Sequence, residues 1–165
     1  MAVLSAQSIK LRVQITPWVD EGSKFKGMSY GVSAASYDIR LGKLQPWKNS
    51  NPVPQSRWLA PGRFCLASSL ERVALPNDIT GMVHDKSTLA RMGVALQNTF
   101  LDPGFRGWIT LEIANHGPDP VQLCVGMPIA QIVFHELDEP TKLPYSGKYQ
   151  DQPDEPVAAI LTKGT

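Results

Sequence analysis

The sequence predicts an all-β fold. Three observations lead there: 13 glycines and 14 prolines are scattered along 165 residues rather than clustered, several segments alternate apolar and polar residues with period two, and only two stretches carry helix signals. Recurring turns between short alternating segments are the pattern of a β-rich domain.

Taken in order, the first helix signal lies near the N-terminus, where Ser5 or Ser8 is a candidate cap. Tyr37 to Leu41 alternates and stops at Gly42. Lys43 to Pro61 carries Pro46, Pro52, Pro54 and Pro61 and reads as an extended excursion or long loop. Phe64 to Ala67 resumes the strand pattern after Pro61-Gly62. Lys86 to Met92 is the second helix candidate, with Gly93 placed to close it. The clearest strand is Trp108 to Ala114: Ile109, Leu111 and Ile113 share one face, and Trp108, Thr110 and Glu112 the other. Val121 to Val125 and Ile129 to Phe134 complete the set. From Tyr145 onward Gly147, Pro153, Pro156 and many polar residues indicate a tail with little structure of its own. Residues 1–165 therefore read as one domain, with 145–165 its C-terminal tail.

Hydrophobic residues make up 42% and charged residues 19%, a globular balance. A net charge of +1 gives no reason to expect a nucleic-acid polymer or a membrane surface as partner. No apolar run approaches the roughly 20 residues that span a bilayer, and the first ten residues lack a signal-peptide pattern. Cys65 and Cys124 stand alone in hydrophobic runs and read as buried free thiols. A cytoplasmic protein is expected.

The chemistry is bounded first by what the chain lacks. His84, His116 and His135 are isolated, and neither cysteine has a partner at ligand spacing, so a zinc site of the nucleobase-deaminase type is not expected. Walker, GxGxxG and Gly-x-Ser-x-Gly motifs are also missing. Three features remain. Glu112 lies inside a strand, where glutamate is a poor strand former; it is either a solvent-facing residue on a half-exposed sheet or a carboxylate held rigidly against a pocket. Asp85 to Arg91 is either a capped surface turn or an anion site, since Ser87 and Arg91 stand four residues apart on one helical face. Asp102-Pro103-Gly104 is turn chemistry, in which Asp102 closes an Asx-turn, meets a sugar hydroxyl or orients a water.

Together these segments resemble the dCTP deaminase family of the dUTPase-like superfamily. The matching stretches are Ser36 to Gly42, His84 to Gly93, Asp102 to Asn115, Gly126 to Gln131 and Tyr145 to Gln152, in order and at fitting spacing. The resemblance implies a distorted jelly-roll fold with one or two short helices, assembled as a homotrimer with sites between subunits. It implies that Glu112 activates a water for attack on cytosine C4 of dCTP and relays the proton to the departing ammonia, with Arg91 assisting. Lys86, Ser87 and Thr88 would hold phosphates, Asp102 would meet the deoxyribose, and Tyr145, Lys148 and Gln152 would close over the base and triphosphate. Mg²⁺ would ride on the triphosphate, without zinc; dUTP or dTTP are further candidate ligands.

The chain departs from the family pattern in two places. Met92 to Leu101 is slightly shorter, with Gln97-Asn98-Thr99 in the loop whose backbone should position the water. Pro153-Asp154-Glu155-Pro156 replaces a glycine-rich run, and the acids at 154 and 155 would repel phosphate. That repulsion favours dUTP over dUMP as product. The rivals are a bifunctional enzyme carrying dCTP through to dUMP and diphosphate, with Asp102 orienting water at the α-phosphate, a dUTPase, and a non-catalytic nucleotide-binding protein on the same scaffold.

Overall fold

A computed structural model describes residues 2–46, 54–97 and 99–161. The chain runs α1 (Ala6–Arg12), β1 (Gln14–Thr16), β2 (Ser23–Phe25), β3 (Met28–Ser33), β4 (Ser36–Leu44), β5 (Ser56–Leu59), β6 (Phe64–Ala74) and β7 (Ile79–Asp85). It continues through α2 (Ser87–Ala90), β8 (Val94–Leu96), β9 (Phe100–Leu101), β10 (Arg106–Asn115), β11 (Val121–Cys124) and β12 (Pro128–Glu136). The fold is mostly β, as the turn-rich, alternating sequence predicts.

The main sheet is antiparallel in the order β8-β10-β6-β4-β12-β7-β9. β1 adds to β6, the β2–β3 hairpin joins through β4, and β5 with β11 forms a separate pair. β4 bends the sheet on itself. Its first half pairs with β3 and β12 around Tyr37, while its second half pairs with β6 through Leu41 and Leu44 across a register shift. Such a bulge increases local twist and lets one strand serve two layers. Gly42 sits at the bend, where a Cβ would collide with the Ser69 carbonyl; only glycine allows that approach.

The apolar faces of these strands meet in one core. Tyr37, Ile39, Leu41, Ile113, Ile132 and Phe134 are fully buried. The Tyr37 hydroxyl accepts from the Val19 amide at 2.9 Å and donates to the Pro17 carbonyl at 3.3 Å, so burial strands no polar atom there. Glu71 is also fully buried; burial pushes its carboxyl pKa up, and the Arg40 guanidinium at 2.7 Å with the Arg40 amide at 2.8 Å acts against that rise. No described helix is long and apolar enough to cross a membrane.

Several expectations need correction. Ser5 does occupy the N-cap position of α1, but its hydroxyl meets Ser8 Oγ at 3.2 Å and makes no bond to the backbone. The second helix is only Ser87–Ala90, shorter than Lys86 to Met92, and its cap position is held by Lys86, whose side chain makes no capping bond. Asp85 instead accepts from the Leu96 amide at 2.7 Å, which ties the turn to β8. Gly93, at φ +83°, ends this turn in the left-handed region, as expected. The stretch from Lys43 to Pro61 is not loop throughout, because β5 lies in it and pairs with β11; residues 47–53 fall outside the described set, as do Asn98 and residues 162–165 of the tail.

Candidate functional site

β10 builds one wall of a cavity of about 400 Å³. Ile113 and Leu111 bury one face in the core, which leaves Trp108, Thr110 and Glu112 directed the other way. The sequence alternation therefore read the strand correctly. The cavity holds Glu112, Asp102, Tyr145 and Gln152 together with apolar groups such as Phe64, Leu66, Phe105 and Ile109. A void of this size with few polar groups suits a small organic ligand.

Glu112 is half-buried on the cavity wall. One carboxylate oxygen is buried with no hydrogen bond, and burial pushes the carboxyl pKa above its usual range. An unpartnered carboxylate in such a place is costly unless a ligand meets it, which is why perturbed acids in cavities mark candidate sites. Asp102 is exposed on the same cavity. The turn is closed by the Phe105 amide donating to the Asp102 backbone carbonyl at 3.0 Å. The Asx-turn alternative is thus not what forms, and the side chain has no partner among the described residues.

The tail forms the opposite wall. It has little regular secondary structure, yet it is docked: the Trp108 amide donates to the Gln152 carbonyl at 3.2 Å, and the Asp151 amide to the Arg106 carbonyl at 2.8 Å. Arg106 and Asp151 add a two-point ion pair at 2.6 and 2.9 Å. Gly107 permits this contact, because a Cβ there would lie 2.7 Å from the Gln152 nitrogen. Tyr145 stacks obliquely on Phe105 at 6.1 Å, and Val157 and Ala159 close the far end.

The other expected residues lie elsewhere. Lys86 is buried and its ammonium sits 2.7 Å from Asp38, which also accepts from the Gln131 amide at 3.3 Å. In this chain the Lys86 charge is paired within the fold. Ser87, Thr88 and Arg91 are exposed, and none lines the Glu112 cavity. Thr88 borders a second, apolar groove beside Trp58, Met92 and Cys124. Lys148 donates to the Ile160 carbonyl and lies over the Tyr149 ring at 5.2 Å, holding the tail to itself rather than lining the cavity. No lysine or arginine lines the cavity among the described residues.

Comparison with known proteins decides the family. The profile of the dCTP deaminase-like family matches residues 4–137. This chain belongs to that family. A Methanoculleus marisnigri protein named dCTP deaminase, dUMP-forming, is 47% identical over 73% of this chain and 77% of its own length. A Methanosphaera stadtmanae protein of the same name is 33% identical over 92% of this chain and 87% of its own. A Campylobacter fetus protein named dCTP deaminase is 34% identical over 88% and 89%. Among solved structures, the 2'-deoxycytidine 5'-triphosphate deaminase of Agrobacterium tumefaciens superposes with a TM-score of 0.59 at 18% identity, over 79% of this chain and 46% of that one. A dUTPase from phage phi11 of S. aureus gives 0.54 at 14% identity, over 82% and 97%. At such identities the likeness is one of fold, and the fold of this dCTP deaminase-like chain is dUTPase-like.

Sequence reasoning missed several groups. Thr110, Tyr149, Val157 and Ala159 line the cavity, and Asp38 captures Lys86. Thr110 carried a signal, since it shares the strand face of Glu112. The Asp38–Lys86 pair carried none, because its members are 48 residues apart in sequence. Among the described residues no group of three or more His, Cys, Asp or Glu side chains is placed to hold a metal ion.

Proposed function

We propose that this protein is a hydrolytic dCTP deaminase that converts dCTP and water into dUTP and ammonia. The observation that carries the reading is the buried, unpartnered carboxylate oxygen of Glu112, aimed into a nucleoside-sized cavity. Ionised Glu112 takes a proton from water as the water oxygen bonds to C4 of cytosine. The resulting tetrahedral carbon carries both the new oxygen and the amino nitrogen. Glu112 returns the proton to that nitrogen, the C4–N bond breaks and ammonia leaves; the C4 carbonyl forms as the remaining hydroxyl proton passes to N3. A carboxyl whose proton affinity is raised by burial suits both halves of the relay. Asp102 at the cavity edge meets the deoxyribose, and Tyr145 and Gln152 close over the base from the tail.

A nucleoside triphosphate brings several negative charges, and the described lining of one chain's cavity offers it none of the opposite sign. Ser87, Thr88 and Arg91 supply the missing donors if they come from a neighbouring copy, which is the basis for proposing a homotrimer with shared sites. Lys148 reaches the triphosphate if its bond to the Ile160 carbonyl opens. Mg²⁺ is held by several oxygens and favours phosphates; Glu112 and Asp102 alone form no cage, so the ion fits as part of the substrate, where it balances phosphate charge.

A second reading has specific support. Two relatives, at 47% and 33% identity, are named dUMP-forming. Asp154 is neutralised by Lys43 at 2.9 Å, which weakens the repulsion argued against a clamped triphosphate. In that reading dUTP is hydrolysed further to dUMP and diphosphate, with Asp102 orienting the second water. Incubation with dCTP and with dUTP side by side, followed by anion-exchange separation, distinguishes the two. Accumulating dUTP with equimolar ammonia supports the first; dUMP and diphosphate formed in step with ammonia support the second. Neither ammonia nor diphosphate from either nucleotide rejects both.

A further inference from the structure

Thr110 stands two residues from Glu112 on the same face of β10, and the proposed reaction gives it no part. Its hydroxyl is nevertheless the best-connected polar group on the cavity wall. The Val157 amide donates to Thr110 Oγ1 at 3.1 Å, and Thr110 Oγ1 donates to Gln152 Oε1 at 2.6 Å. The second contact joins two oxygens at a length ordinary for O–H···O and short for N–H···O, so the amide's oxygen end is the one that meets Thr110. With its oxygen turned to Thr110 in this way, Gln152 is left to present its NH₂ group, which has no partner among the described residues while the side chain lines the cavity. The Gln152 backbone is itself fixed by the bond from the Trp108 amide and by its approach to Gly107.

We propose that Thr110 is a specificity-determining positioning residue: its hydroxyl fixes the Gln152 amide so that only donors face the base, which selects cytosine and disfavours uracil. The inference rests on the deaminase reading. Cytosine presents acceptors at N3 and O2, and an amide NH₂ satisfies them. Uracil carries a proton on N3, so a donor-only amide faces a donor and leaves it unpaired. A site built to hydrogen-bond one pattern rejects the other because buried polar groups then lack partners. Deamination converts N3 from acceptor to N–H donor in the product tautomer. The same locked amide therefore holds the substrate and loosens the product, whereas a freely rotating amide would turn its oxygen to uracil and retain it.

The test is calorimetric binding of the α,β-imido analogues of dCTP and dUTP to the full chain, with every variant made in a Glu112→Gln background to silence deamination. The background alone should prefer the cytosine nucleotide. Thr110→Val keeps the side chain's branched shape and removes the hydroxyl; it should reduce the cytosine-to-uracil affinity ratio by about tenfold, the size of one mispaired hydrogen bond. Thr110→Ser should restore the ratio. Gln152→Glu, which has no NH₂ to offer, should lose cytosine preference even with Thr110 intact. An unchanged ratio in Thr110→Val overturns the proposal. So does an equal loss for both nucleotides, which would mean that Thr110 merely docks the tail, or a failure of serine to restore the ratio. Ammonia release from dCTP by the wild-type chain is measured separately, so that failure of the deaminase reading is recognised on its own.

Discussion

Glu112 holds a carboxylate where a folded chain would ordinarily avoid one, on a strand face covered by the tail and with one oxygen unpartnered. That placement has a thermodynamic consequence independent of turnover. Burial raises the carboxyl pKa above the ordinary glutamate value of about 4.3. Between the ordinary and the raised value, the folded chain keeps a proton that the unfolded chain has released, so stability falls as pH climbs through this window. Below the window both states are protonated and nothing is lost; above it the full cost remains. Glu112→Gln abolishes the titration. Urea unfolding at about pH 8 should therefore find the variant gaining in stability relative to wild type, compared with their difference at about pH 4, where both carry a neutral side chain. A stability difference that is the same at both pH values would contradict the burial account.

At the scale of elements, the strand carrying the site was legible in the sequence and the surroundings that make it a site were less so. Ile109, Leu111 and Ile113 alternate with Trp108, Thr110 and Glu112, and β10 buries the first set as that period requires, although a register shift between Trp108 and Thr110 leaves Ile109 on the cavity too and Trp108 off it. Alternation is local, so it survives without knowledge of the fold. The helix at Ser87 is shorter than expected because the chain tightens after Ala90, where the Met92 amide donates to the Leu89 carbonyl and the Gly93 amide to the Ala90 carbonyl; Asp85 meanwhile accepts from the Leu96 amide of β8, a contact that local capping signals do not encode. Lys86 shows the same limit more sharply. The family resemblance implies a phosphate ligand there, but Asp38, placed beside it by β4 and β12, pairs with its ammonium in this chain. The strand β5 was hidden by flanking prolines, and its pairing with β11 is long-range. The tail, read as little structured, is irregular as expected but docked, because Gly107 opens the space where Gln152 lies against β10.

At the scale of the molecule, the proposed site needs charge that a single chain does not bring to it. The cavity has the Glu112 carboxylate and apolar walls, but its described lining has no cation, while Arg91 stands exposed outside it. Light scattering of the purified protein should return about three chain masses of 18.1 kDa each, and an active species of one chain mass would refute the shared site. The central claim, however, is that Glu112 moves the protons of deamination. It is tested most directly by the rate of ammonia release from saturating dCTP in wild type and Glu112→Gln, with dCTP affinity measured on both. The account predicts that nucleotide binding survives while ammonia release falls by at least about 10²–10⁴-fold, the usual contribution of a general acid–base group; release by Glu112→Gln at a rate near wild type would contradict it.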